Sequence, residues 1–407
     1  MSLASTINPA GSIVSSILVT RRRQRPSFAG GCRYAHRAVP ALQLVHRQAT
    51  RRMGQSRHSG TSRPMAQPGE VSQVPLSFHI GIRIMALPPR IGFHASHEQF
   101  PPSELLALAR QAEQAGFDCA MSSDHFRPWG MAQGHSGFAW SWLGAAMAST
   151  RLPFGVISAP GYRYHPAIIA QGAATLAEMF PGRFWLALGS GQRLNEDITG
   201  LAWPDKPERT ARLRECADVI RALLAGETVT HRGRVTVVDA KLYSRPARPP
   251  ALLGAAVTEA TAEAVGAWAD GLLTVSASPD QMRKVVQAFR RGGGEGKRMV
   301  VQVALNWAPT EEEALAGAHE QWRTNMIGGD VNWELRTPEE FDTATRFVRP
   351  EDMHESVWIS SDLSWHLARI AELAELGFEE IHLHQVGRNQ QVFIDKFGEQ
   401  VLPRLRG

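Results

Sequence analysis

Gly189-Ser190-Gly191-Gln192 forms a glycine-rich turn that could hold the polar edge of a ligand. It follows an apolar run that predicts a buried strand, and its glycines let a ligand or another backbone approach closely. The backbone N–H groups and the Ser190 hydroxyl could hold an anion or a ring carbonyl, while Gln192 and Asn195 could hydrogen-bond a polar heterocycle. A plain strand-to-helix turn can contain the same residues, so this motif alone does not decide between the two.

His125, with Asp124 before it and Trp129 after it, offers proton-transfer chemistry in a predicted loop. An imidazole titrates near neutrality and can serve as general acid or base. A tryptophan four residues beyond such a histidine can form a wall for a flat ring. A helix cap for His125 and core packing for Trp129 are the alternative interpretations.

Gly254-Ala255-Ala256 lies just before a predicted helix. Small residues at that place would let a phosphate lie on the amide groups of the helix N-terminus. Tight packing of the strand against the helix is the other interpretation, and the two are compatible.

The sequence predicts no metal site. Cys32, Cys119 and Cys216 have no paired spacing, which also fits a reducing cytoplasm. His382 and His384 form a His-x-His pair on the last predicted strand, but no third ligand accompanies them. We interpret these two histidines as rim or packing residues.

The elements that must position these residues are eight strands alternating with helices. The predicted strands are 90–94, 117–121, 152–157, 184–188, 251–254, 271–275, 299–305 and 380–384. A small hairpin is predicted at 228–238, and 327–356 is predicted to be irregular. This order predicts a (β/α)8 (TIM) barrel with insertions, in which every strand ends at one shared mouth. An open doubly wound sheet is the alternative.

Charge divides the 407-residue chain into two parts. The net charge is +5, but residues 1–84 hold twelve arginines and one acid, so residues 85–407 carry −6. A basic segment before an acidic body is poor evidence for nucleic-acid binding by the fold. We interpret 1–84 as an extension translated upstream of a true start at Met85, or else as a disordered tail or a transit peptide, and assign 85–407 to one barrel domain. No apolar run approaches the ~18 residues of a membrane span, so a cytoplasmic protein is predicted.

Four segments together resemble the luciferase-like flavin-dependent oxidoreductases, and most of all the branch that contains the F420-dependent glucose-6-phosphate dehydrogenases. They are GFHASHEQF (92–100), SDHFRPW (123–129), RYHP (163–166) and LGSGQRLNE (188–196). The resemblance implies a barrel whose mouth holds FMN or the deazaflavin F420, which shuttles a hydride. It also implies a homodimer.

The resemblance implies a role for each candidate site residue. Asp124 and His125 would lie at the cofactor ring, and Trp129 and Glu98 would line the substrate side. The implied cofactor contacts are Val156, Ile157 and Ser158 at the ring, Ser190, Gly191 and Asn195 at the ring or ribityl chain, and Gly254, Ala255 and Ala256 at the phosphate.

Two departures from that branch shape the functional prediction. Gln192 occupies the position of a glutamate that is thought to protonate the reduced deazaflavin, and glutamine cannot donate a proton in that role. The chain also lacks the lysine after the sixth strand and the arginine before the eighth, so a phosphorylated substrate would lose its cationic clamp. Glucose 6-phosphate is therefore not the expected substrate, and FMN becomes the expected cofactor, with F420 as the alternative.

The sequence thus predicts hydride transfer between bound FMN and a small organic substrate, with NAD(P)H or a flavin reductase as electron source. His125 would act either as the proton shuttle or as a group that polarises the substrate. Gln192 would hydrogen-bond the edge of the cofactor ring. The alternatives are an F420-dependent dehydrogenase, a flavin-binding carrier without catalysis, and a metal-dependent hydrolase on the same barrel.

Overall fold

The computed structural model describes residues 88–406; the basic extension predicted at 1–84 lies outside them. Eight parallel strands form a closed barrel, because the last strand pair in the ring, β8 with β9, is hydrogen-bonded like the others. The barrel strands are β1 (Arg90–Ala95), β2 (Cys119–Ser123), β3 (Phe154–Ser158), β4 (Phe184–Leu188), β7 (Ala251–Ala255), β8 (Gly271–Val275), β9 (Arg298–Asn306) and β11 (Glu380–Gln385). The predicted (β/α)8 barrel is confirmed, and the open sheet is excluded.

Helices connect the strands and form the outer layer. They are α1 (Pro102–Gln114), α2 (Ala139–Ser149), α3 (Pro166–Met179), α4 (Arg193–Glu196), α5 (Lys206–Ala225), α6 (Glu259–Gly266), α7 (Pro279–Phe289), α8 (Glu311–Trp322), α9 (Pro338–Ala344), α10 (Leu363–Glu375), α11 (Gln390–Gln400) and α12 (Leu402–Leu405). Local capping explains several starts: Asp205, Ser278 and Thr310 each accept a backbone N–H of the helix that follows. Among the described residues, no helix has the length and apolarity needed to cross a membrane.

Strand alternation separates two apolar layers. Met121, Trp185, Leu253, Leu273 and Val300 pack together in the barrel interior. Their strand neighbours face outward and pack against the helices in a much larger cluster. Because successive side chains point to opposite faces, each strand serves both layers, and its last residues deliver side chains to the mouth.

Two excursions interrupt the alternation. The hairpin predicted at 228–238 is present as β5 (Val229–Arg232) and β6 (Thr236–Ala240). The segment predicted as irregular at 327–356 contains α9, which the prediction missed, and is followed by a two-residue strand, β10 (Trp358–Ile359), on the end of β9.

The second strand was also predicted two residues too early, since Phe117 still bonds through its N–H to Ala112 of the preceding helix.

Candidate active site

A histidine–carboxylate pair lies at the ends of β1 and β2. Nδ1 of His125 is 2.6 Å from Oε1 of Glu98, and the imidazole keeps 16% of its surface exposed while Glu98 is buried. The Ser123 hydroxyl donates to Oε1 of Glu98 at 2.6 Å, and the Ser96 hydroxyl donates to Oε2 at 2.9 Å. With Nδ1 committed to Glu98, Nε2 is the nitrogen that can exchange a proton with a ligand.

Glu98 is held as a carboxylate. Burial alone raises its pKa, but the neighbouring His125 and the Ser123 hydroxyl lower the pKa well below its usual range. A buried anion in contact with Nδ1 fixes the orientation of the ring. This pair therefore has the arrangement of a general base with its orienting carboxylate.

Trp129 lies beside His125. Its ring centroid is 5.2 Å from that of His125, at an interplanar angle of 74°. On its other side Phe341 of α9 packs edge-on at 5.5 Å, and the Trp129 backbone N–H donates to Gln133. The indole is thus held between the base and the excursion after β9.

The glycine-rich turn follows β4, as predicted. Gly191 has φ +79°, in the left-handed region that favours glycine, and a Cβ there would lie 3.0 Å from Cγ of Glu196. Oγ of Ser190 accepts from Nζ of Lys206 at 2.7 Å. Gln192 accepts from Nδ2 of Asn195, whose Oδ1 in turn accepts the backbone N–H groups of the loop after β2. Asn195 thereby ties the turn to the loop that carries the base.

Asp124 faces the outer layer, with its carboxylate enclosed by protein donors. Oδ2 accepts from Ser158 at 2.7 Å and from the indole of Trp140 at 3.1 Å, and Oδ1 accepts from the Tyr164 hydroxyl at 3.0 Å. Arg163 lies 3.5 Å from Oδ1. Because these groups occupy the acceptor positions, the Asp124 side chain acts within the protein scaffold.

Arg163 is shared between Asp124 and a second buried acid, Glu196. Nε of Arg163 is 3.7 Å from Oε1 of Glu196, and the Arg163 backbone N–H donates to Oε2 at 2.9 Å. All three side chains are at least nine-tenths buried. Burial raises the pKa of Glu196 to about 7, although Arg163 works in the opposite direction. One cation thus serves two carboxylates, and Glu196 is the one that takes up a proton near neutrality.

The residues predicted to contact the cofactor after β3 and β7 lie partly in the barrel interior and partly in the outer layer. Ile157 packs in the barrel interior, whereas Val156 lies in the outer layer and Ser158 is engaged by Asp124. At the end of β7, a Cβ on Gly254 would lie 2.4 Å from Cγ1 of Val265 in α6, so this glycine permits close strand–helix packing.

The small residues after Gly254 have different environments. Ala256 is buried, and its N–H donates to the Leu273 carbonyl. Ala255 is half-buried, and its Cβ would be 3.8 Å from a Cβ placed on Gly189. The structure therefore brings the glycine-rich turn beside Ala255, and it commits the Ala256 amide to the sheet.

Two histidines form the floor beneath the pair. The rings of His94 and His384 are 4.3 Å apart, and Nε2 of His384 is 3.0 Å from Oε1 of Gln99. Burial lowers the pKa of His384 to about 4 and that of His94 well below its usual value, so both are neutral at pH 7. His384 therefore lies inside the barrel, one layer below the rim.

At the opposite end of the barrel, Cys119, Glu380 and His382 bring three potential metal ligands together. His382 Nε2 is 3.1 Å from Glu380, which also pairs with Arg90 and Arg298 and accepts from the Trp185 indole. Two guanidinium groups already neutralise this carboxylate, and burial raises the pKa of the Cys119 thiol far above its usual value. This donor set suits a buried ion-pair cluster better than a divalent cation.

The mouth fits a flat heteroaromatic cofactor. Gly189 and Gly191 leave the turn after β4 without side chains, while Ile157 at the end of β3 and Trp129 in the loop after β2 add an apolar and an aromatic side chain. A flavin or deazaflavin ring needs this combination of an open backbone edge and an apolar bed.

Comparison with known proteins decides the family. The profile of the luciferase-like monooxygenases matches residues 83–380. The chain belongs to this family. It is 36% identical over 334 residues to an F420-dependent glucose-6-phosphate dehydrogenase of Microbacterium testaceum, covering 79% of this chain and 99% of the relative. A second enzyme of that name, from Nakamurella multipartita, is 38% identical over 336 residues, covering 79% and 98%.

Solved structures agree with this assignment. An F420-dependent secondary alcohol dehydrogenase, solved with an F420–acetone adduct, superposes with a TM-score of 0.74 at 29% identity, covering 79% of this chain and all of that one. The F420-dependent tetrahydromethanopterin reductase of Methanopyrus kandleri, at 22% identity and a TM-score of 0.64, shares the fold. This luciferase-like protein is accordingly an oxidoreductase, as the sequence predicted.

Sequence reasoning assigned no role to the residues that support the pair. Ser96 and Ser123 hold Glu98, and Arg163 and Glu196 surround Asp124. Arg163 and Glu196 lie within two of the segments that carry the family resemblance, which was the available signal. Their partnership depends on loops that only the closed barrel brings together.

Proposed function

We propose that this luciferase-like oxidoreductase is an F420-dependent dehydrogenase that oxidises a small, unphosphorylated alcohol to its carbonyl compound. The Glu98–His125 contact is the observation that carries the proposal, because removal of a hydroxyl proton needs an oriented base. The relatives support F420 over the FMN predicted from the sequence, since the proteins named above at 29% identity or more carry F420-dependent names and act on hydroxyl compounds.

The proposed roles follow from the site. When bound, F420 supplies the acceptor for the hydride. His125 would take the hydroxyl proton of the alcohol at Nε2, and the Glu98 carboxylate would stabilise the protonated imidazole through Nδ1. Trp129 encloses the substrate and excludes water from the reacting carbon.

The charges at the mouth favour an uncharged substrate. Residues 276–278 and 355–357 contain no lysine or arginine to clamp a phosphate. The nearby cations have other partners: Arg163 is held by two carboxylates, Lys206 donates to Ser190, and Arg127 donates to the Leu194 and Arg336 carbonyls. A dianionic substrate next to the buried Glu98 carboxylate would be repelled by it, and positions 276–278 and 355–357 offer no cation to offset that repulsion.

FMN is the second candidate cofactor, and Gln192 favours it. The amide oxygen of Gln192 accepts from Asn195, so this side chain offers a neutral contact where an acid would be needed to return a proton to a deazaflavin. In that case NAD(P)H or a flavin reductase would supply the electrons.

The test begins with the protein purified from a host that makes both FMN and F420. The absorption spectrum and mass of the released cofactor identify it, and F420 reduction is then followed with 2-propanol and with glucose 6-phosphate. We expect F420 and turnover of 2-propanol. His125→Ala should abolish that turnover, whereas the control His135→Ala, in the same loop, should retain it. Bound FMN with no F420 reduction would refute the proposal.

A further inference from the structure

Three protein contacts hold the His125 imidazole and the peptide groups on either side of it. Glu98 binds the His125 imidazole, and the Ser136 hydroxyl donates to the His125 carbonyl at 2.7 Å. On the other side, Nη2 of Arg163 donates to the Asp124 carbonyl oxygen at 2.5 Å. That oxygen belongs to the peptide bond that joins Asp124 to His125. Arg163 therefore contacts the peptide group that immediately precedes the His125 side chain.

Arg163 does more at this place than pair with two buried carboxylates. Three uncharged donors, Ser158, Trp140 and Tyr164, already satisfy the Asp124 carboxylate. The guanidinium stacks 4.5 Å from the Tyr164 ring centroid, with its planar face covered. Its Nη2 is therefore aimed at the Asp124–His125 peptide with little rotational freedom.

Glu196 fixes Arg163 from the opposite side. It accepts the Arg163 backbone N–H and lies beside Nε, and it stands one residue after Asn195, which binds the backbone of Phe126 and Arg127. Two successive residues of α4 thus hold the loop after β2, which carries His125, and the loop after β3, which carries Arg163.

We infer that Arg163, oriented by Glu196, is a positioning residue that sets the Asp124–His125 peptide and thereby the contact of His125 with Glu98. This inference rests on the proposed role of His125 as the base. It predicts that shortening the cation displaces the imidazole without opening the substrate pocket, so that kcat falls while KM changes little.

The test measures the histidine itself in the cofactor-free protein. The imidazole nitrogen signals of 15N-labelled full-length chain are followed by NMR across pH, and His125 is assigned by its loss in His125→Gln. Arg163→Lys keeps the charge but cannot reach both partners. Arg183→Lys is the matched control, because Arg183 also donates to backbone carbonyls, those of Met147, Thr150 and Leu152, near the start of β3 at the other end of the barrel.

We expect Arg163→Lys to shift the His125 nitrogen signals and titration midpoint, Glu196→Gln to shift them in the same sense, and Arg183→Lys to leave them at wild-type values. With F420 and 2-propanol, Arg163→Lys should lower kcat about tenfold to hundredfold, as for loss of one charge-assisted hydrogen bond, with KM within about threefold. Unchanged His125 signals in Arg163→Lys, or equal shifts in Arg183→Lys, would overturn the inference. A wild-type protein that fails to oxidise 2-propanol would refute the proposed function instead, and the NMR result would still decide the positioning role.

Discussion

Replacing Glu196 with glutamine should change how the stability of the protein depends on pH. The folded state holds this carboxyl at a pKa of about 7, against an ordinary value of 4.5. Between these two values the folded chain binds a proton that the unfolded chain has released, so the free energy of unfolding falls as pH rises through this window. Each unit of pKa difference corresponds to about 1.4 kcal/mol. Ionisation of Glu196 therefore lowers the free energy of unfolding by roughly 3 kcal/mol by pH 8.

Glutamine keeps the shape and cannot ionise, so it removes that loss. We expect Glu196→Gln to gain about 3 kcal/mol relative to wild type when pH is raised from 4 to 8. Urea unfolding at one-unit pH steps measures the difference, and the titrating groups that do not interact with Glu196 cancel between the two proteins. Glu178→Gln, at an exposed position on α3, is the control and should show no such pH-dependent difference. A difference between Glu196→Gln and wild type that is constant from pH 4 to 8 would refute the reasoning.

Four further predictions concern the mouth and the helices around the barrel. His125→Ala should abolish turnover while the released cofactor remains stoichiometric, and retained turnover would remove the histidine from the mechanism. Gly254→Ala should destabilise the fold by about 1–3 kcal/mol, because its Cβ would lie 2.4 Å from Val265 in α6. Gly144→Ala in α2, where a Cβ meets nothing within 4 Å, should stabilise it by about 0.5–1 kcal/mol, as thermal or urea unfolding of both variants would show. Gln192→Glu should raise kcat with F420 if a carboxyl there returns a proton, and an unchanged or lower kcat would show that the position has no such role.

The barrel was predictable because buried parallel strands are continuous apolar runs that end at polar loops. Phe184–Leu188 shows this plainly: all five residues are buried, and the glycine-rich turn follows at once. Strand β2 was misplaced because Ser122 and Ser123 are polar yet buried, and Ser123 belongs to the strand through its bond to Glu98. A hydroxyl whose partner comes from another strand gives no local apolar signal.

Helix α9 was missed although its signals are present. Thr337 caps it by accepting the Glu340 N–H, Pro338 occupies the first turn, and two glutamates follow. The shared Arg163 is a different case, because its partners lie 39 and 33 residues away along the chain. No spacing rule links these positions, and their proximity follows only from closure of the barrel.

The contact between Trp129 and Phe341 joins two parts of the chain that can be mutated separately. The Glu98–His125 pair lies in the loops after β1 and β2, whereas the residue that packs behind Trp129 comes from α9, more than two hundred residues later. Mutations near Phe341 can reshape what the mouth accepts while the Glu98–His125 contact stays intact. Under the proposed function, a library of variants confined to 327–344 would therefore change which substrate is accepted while the Glu98–His125 contact is kept.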